Sequence, residues 1–101
     1  MTVSLDEMKK YLRVDFDDDD TVIEELLKSA EVLCADVARL SEDEFEKSHC
    51  SKIAVMYAVA YLYEHRENAD YKALTLSLRS LLSSVQQTFY SFLFLSSLVL
   101  P

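Results

Sequence analysis

The chain has no glycine among its 101 residues, and its one proline, Pro101, is the last of them. Tight β-hairpins rely on positive-φ glycine or asparagine pairs, so this lack argues against an all-β protein. It also removes every glycine-rich phosphate loop, so that neither a P-loop nor a dinucleotide-binding fingerprint can be written with these residues. Cations are in the minority: 10 Lys and Arg stand against 18 Asp and Glu, the net charge is −8, and no basic stripe is visible. Generic binding to nucleic-acid phosphates needs clustered Lys and Arg and is disfavoured. The two cysteines, Cys34 and Cys50, lie in apolar-periodic segments. They form neither a disulfide framework nor a CxxC metal spacing, and they read as buried thiols. The opening MTVSLDEMKK lacks the apolar core of a signal peptide, which predicts cytosolic synthesis.

What is present is helical signal. Half of the residues are hydrophobic and 28% are charged, which is globular usage, and the length suits a single domain over 1–101 with one modest core. Ser4 and Glu7 make an S-x-x-E capping box ahead of Leu5, Met8 and Leu12, which fall on one helical face. In the second segment Ile23, Leu26, Leu27, Ala30, Leu33, Cys34, Val37 and Leu40 recur at three and four. Glu24, Glu25, Lys28, Glu31 and Asp36 take the polar side. Ser41 and Glu44 form a further box that opens a third helix, with Phe45, His49, Ile53, Met56, Tyr57, Ala60 and Tyr61 on its main face. Leu74, Leu78, Leu81, Leu82 and Val85 mark a fourth. The expected fold is a small all-α bundle of four main helices, about 4–12, 20–40, 42–66 and 74–86, with an apolar C-terminal tail.

Two stretches carry more apolar surface than a small monomer readily covers. IAVMYAVAYLY in the third helix is apolar all round, which calls for cover on several sides, from the bundle itself or from neighbouring copies. The tail TFYSFLFLSSLVLP has no charge and is shorter than the roughly 20 residues a spanning helix needs. Packing within the chain or at a subunit interface ranks ahead of membrane association for it.

The candidate sites resolve mostly by elimination. In RVDFDDDD, the residues Asp15, Asp17 and Asp19 match positions 1, 3 and 5 of an EF-hand loop. The turn position holds Asp20 instead of glycine, and the closing position holds Leu26 instead of glutamate. The run reads better as the acidic start of the second helix. There Asp18, Asp19 or Asp20 can cap, Thr21 with Glu24 makes another box, and carboxylates suit the helix dipole. His49 and His65 are isolated, and Cys50 beside His49 points to a different side of a helix, so no zinc site, catalytic thiol or cofactor is indicated. Tyr57, Tyr61 and Tyr63 with Arg66 could stack on a ligand, but aromatic residues in an apolar helix more often serve a core or an interface.

The segments SLDEMKKYLRVDFDDDDTVIEELLKSAEVL, KIAVMYAVAYLYEHRENAD and LTLSLRSLLSSV together resemble the phage head-tail connector family of small helical proteins. The matching features are Leu12-Arg13-Val14-Asp15, the acidic Asp18-Asp19-Asp20, Ala30-Glu31, the run Tyr63-Glu64-His65-Arg66-Glu67, and the leucines from Leu78 to Leu82. The likeness covers about residues 3–85. The glycine-containing turn often found between the long helices is replaced here by ARLSEDEF, and the tail after Val85 is not placed in the family's pattern, so its role stays open.

The resemblance implies a structural, non-enzymatic protein of the head-tail junction of a phage or prophage virion, assembled in the host cytoplasm. It implies a homo-oligomeric ring, typically of twelve subunits, docked below the portal protein. Such a ring receives head-closure or tail proteins and lets duplex DNA pass without gripping it. On that reading Asp15, Asp17, Asp18, Asp19 and Asp20 form a partner-facing or channel-facing surface, because like charges keep phosphates from sticking. Subunit contacts are expected from Met56, Tyr57, Tyr61, Tyr63 and Arg66, with Phe89, Phe92 and Phe94 in the tail. The residues alone leave two alternatives: a helical adaptor that docks a basic partner on its acidic loop, and a helix-turn-helix regulator. The acidic polar face of the second helix weighs against the regulator.

Overall fold

The computed structural model describes residues 2–48 and 50–82. His49, Val85, Phe89, Phe92, Phe94 and the tail 86–101 lie outside the described residues. The described chain is all helical: α1 (Leu5–Leu12), α2 (Asp20–Ala38), α3 (Glu42–Glu46), α4 (Ser51–Glu64) and α5 (71–82). Among the described residues there is no strand.

Helix starts follow the caps written in the sequence. Ser4 accepts the Glu7 amide while the Glu7 carboxylate accepts the Ser4 amide, which closes the box on α1. Ser41 accepts the Glu44 amide and donates its hydroxyl to Glu44 Oε1 at 2.9 Å. Asp70 caps α5 by accepting the Ala73 amide at 3.0 Å, so that helix begins earlier than leucine spacing alone suggests. At Thr21 the expectation fails. Asp19 occupies the N-cap of α2 without a side-chain cap bond, and Thr21 already lies inside the helix.

Helix ends show how a glycine-free chain turns. Arg13 (φ 60°) and Arg39 (φ 58°) adopt the left-handed conformation. In each case two amides bond back: Arg13 to Lys10 O and Val14 to Lys9 O after α1, Arg39 to Asp36 O and Leu40 to Ala35 O after α2. These are paired 5→2 and 6→1 bonds, the Schellman arrangement that glycine ordinarily completes. Arginine here carries the Cβ penalty, of about 1–2 kcal/mol.

The helix expected over 42–66 is two helices. After Glu46 the chain tightens into three-residue bonds, Lys47 N to Glu44 O and Ser48 N to Phe45 O. Ser48 Oγ then donates to Phe45 O at 2.8 Å, and Ser51 Oγ donates to Ser48 O at 3.0 Å. Serine hydroxyls that bond nearby carbonyls offer the backbone an alternative to the helical ladder. The short α3 still sets Phe45 fully into the core.

Among α1 to α4, the most extensive interhelical contact is between α2 and α4. Small residues recur every four positions on both: Ala30, Cys34 and Ala38 on α2, Ala54 and Ala58 on α4, all buried. Residues four apart lie on one helical face, so the two backbones approach closely along facing stripes of small side chains. This changes the orientation expected for α4. Its inner face is Ala54, Val55, Ala58, Val59 and Leu62, while Ile53, expected on the main face, is 63% exposed. Glu31 is corrected in the opposite sense. Assigned to the polar side, it is buried and its carboxylate accepts from Thr2 Oγ1 at 3.2 Å and Thr2 N at 3.4 Å. Leu74, Leu78 and Leu82 of α5 complete the core.

Candidate functional site

The acidic run sits where three helices meet. α1 stops at Leu12, the left-handed Arg13 turns the chain, and the loop passes outward before Asp19 begins α2. Asp15, Phe16, Asp17 and Asp18 are exposed, while Asp19 and Asp20 are half-buried. Phe16 holds 51% of its surface in solvent.

The aspartates point to different partners. Lys9 on α1, its side chain only 13% exposed, places Nζ 2.9 Å from Asp17 Oδ1 and 2.8 Å from Asp20 Oδ1. Its contacts with the accepting carboxylates of Asp20 and Asp17 hold the ammonium above its ordinary range, and the hydrogen bond that Lys9 donates holds the Asp17 carboxyl below its own. On the other side, the Tyr63 hydroxyl of α4 donates to Asp19 Oδ2 at 2.6 Å. Arg66 reaches the same oxygen at 3.8 Å and lies 4.7 Å above the Tyr63 ring, a cation–π arrangement. The Asp19 bond, with burial, raises the Tyr63 phenol above its ordinary value. Asp15 and Asp18 make no such contact among the described residues.

Three carboxylates directed at a lysine and a tyrosine do not converge on a common point. Among the described residues no cluster of three or more His, Cys, Asp or Glu is placed to hold a metal ion. Cys34 is buried, and desolvation pushes its thiol up to about 12, the opposite of an activated nucleophile.

The expected contact residues divide in two. Met56, Tyr61 and Tyr63 are half-buried and pack against the chain's own core. Tyr61 also braces the turn into α5. Its hydroxyl accepts the Asp70 amide at 3.0 Å, and its ring stacks on His65 with centroids 4.3 Å apart. Tyr57 is 38% exposed beside Ile53, one helical turn away, and Arg66 is exposed at the end of α4. Sequence reasoning missed Ile53 as a surface residue. The small residues of α2 and α4 are visible in the sequence, but only the packing of the two helices selects the inner face of α4 and leaves Ile53 and Tyr57 outside it. It also missed Lys9, whose partners become neighbours only when the loop folds back over α1.

Glu24, Glu25 and Asp36 on α2 are exposed, so its solvent face is acidic and unsuited to a recognition helix in DNA. Among the described residues no helix is long and apolar enough to cross a membrane. In comparison with known proteins, a family model described as phage gp6-like head-tail connector protein matches residues 2–92. No curated protein matches the chain, and no solved structure does.

Proposed function

The chain belongs to the phage gp6-like head-tail connector family, and from that membership we propose that it assembles with copies of itself into a ring below the portal protein. The ring completes the head, passes the genome and offers a platform to head-closure or tail proteins. The role is structural, with no catalysis. The observation that supports ring assembly is on α4. Ile53 and Tyr57 present apolar surface on the outer side of a helix whose inner side is already filled by its own core. A patch of this kind, repeated by rotation against a different patch on the next copy, closes into a ring. The residues that fit the contact best are Ile53, Tyr57 and Arg66. Met56, Tyr61 and Tyr63 support it from within the subunit.

The acidic loop fits a surface beside the channel. Its outward carboxylates, Asp15 and Asp18, add negative potential that repels phosphates, so duplex DNA slides without being held. Sedimentation of the wild-type protein, alone and mixed with its portal protein, tests assembly. The expected result is a ring-sized species, reduced to the subunit by Ile53→Asp with Tyr57→Asp while the subunit's helical circular dichroism is retained. A wild-type chain that stays a monomer in both settings overturns the reading, as does a double variant that assembles normally.

A further inference from the structure

The α1–α2 loop is gripped from two sides by residues outside it, and the two grips differ in physical character. On the α1 side, the Lys9 ammonium, carried on a side chain 13% exposed, pairs with two carboxylates, Asp17 at 2.9 Å and Asp20 at 2.8 Å. Asp17 is 88% exposed and Asp20 33%, so the Asp17 pair is open to screening by salt and the Asp20 pair less so. On the α4 side, the short Tyr63 hydroxyl bond holds Asp19, while the Arg66 guanidinium stands at 3.8 Å with its side chain 52% exposed. That ionic contribution is open to screening.

We propose that these contacts form a two-arm strap that fixes the acidic loop in one conformation, one arm made by Lys9 and the other by Tyr63 with Arg66. The strap ties the start of α2 to both α1 and α4, so the loop's conformation depends on how those two helices are docked. While it is closed, Asp17, Asp19 and Asp20 are each paired within the subunit, Asp17 from an exposed position, and Asp15, Phe16 and Asp18 face solvent. When both arms open, all five aspartates become a free acidic segment. A cation-rich surface that competes for the carboxylates acts as the releasing agent.

Hydrogen–deuterium exchange on the full chain, resolved by residue, tests the strap independently of any assembly. The informative amides are Val14, bonded to Lys9 O at 2.9 Å, and Asp20, bonded to Asp17 O at 3.2 Å. Lys9→Met is expected to abolish protection at these amides while α2 and α4 core amides keep theirs, and Lys9→Arg is expected to restore it. The double variant Asp17→Asn with Asp20→Asn should reproduce the Lys9→Met pattern by removing the anions instead of the cation. Unchanged loop exchange in Lys9→Met, or an equal loss across α2 and α4 in both the lysine and the aspartate variants, overturns the proposal.

Discussion

At the scale of single residues, the two left-handed arginines show what the absence of glycine does to this chain. Each turn is fully hydrogen-bonded, so the backbone geometry is right and only the side chain is ill-suited to it. Glycine would remove a Cβ penalty of about 1–2 kcal/mol while adding about 0.5–1 kcal/mol of unfolded-chain entropy. Arg39→Gly is therefore expected to stabilise the protein by about 0.5–1 kcal/mol in urea unfolding, and Arg39→Ala to give no gain. Titration of the strap can be checked in the same way. Asp17 is held below its ordinary value of 3.8 by the Lys9 hydrogen bond, so its contribution is complete above that value and lost as pH falls through the lowered one. Lys9 and Tyr63 are raised above 10.5 and 10.0. Their contributions are complete below those values and lost as pH rises through the raised ones. The strap is thus closed throughout the neutral range. Carboxyl NMR should place the Asp17 midpoint below 3.8 in the wild type and return it to the ordinary value in Lys9→Met.

At the scale of helices, what was legible in the sequence depended on whether the signal was local. The Ser4 and Ser41 caps, the extent of α2 and the burial of Leu74, Leu78 and Leu82 on α5 follow from spacing and side-chain chemistry within a few residues, and the structure agrees with them, whereas Leu81, expected on the same face, is exposed. The break between α3 and α4 was not legible. Ser48 and Ser51 sit in a periodic apolar segment where their hydroxyls could equally have faced solvent, and only the fold decides that they bond Phe45 O and Ser48 O. The orientation of α4 was hidden for a related reason. A helix apolar on all sides has no preferred inner face until a partner helix selects one, and α2 selects the small side. The acidic run was recognisable as a helix start. Its division into inward and outward carboxylates rests on Lys9, Tyr63 and Arg66, which are brought to it by tertiary packing. The break gives α3 a purpose out of proportion to its five residues, because it turns Phe45 wholly inward. Phe45→Ala should cost about 3–5 kcal/mol by chemical denaturation, a large share of the 5–15 kcal/mol typical of a whole domain.

For the molecule as a whole, the core of the described residues is closed while Ile53 and Tyr57 of α4 leave apolar surface outside it, as the proposed ring assembly requires. The α2–α4 stripe belongs to that core. Cys34 lies in it with no measurable exposure, and its thiol is pushed up to about 12 by burial. A thiol in that position is an internal clock. It becomes an available thiolate only when α2 and α4 separate, so its alkylation reports the opening of the whole fold. The half-buried Cys50 serves as the second hand. In a labelling time course read by intact mass, Cys50 should react first and Cys34 only at the rate of global opening. Phe45→Ala should quicken Cys34, and incorporation into an assembly should slow it. Prompt labelling of Cys34 in the native protein would contradict the packing described. The same thiol therefore times the opening of each subunit without an engineered label.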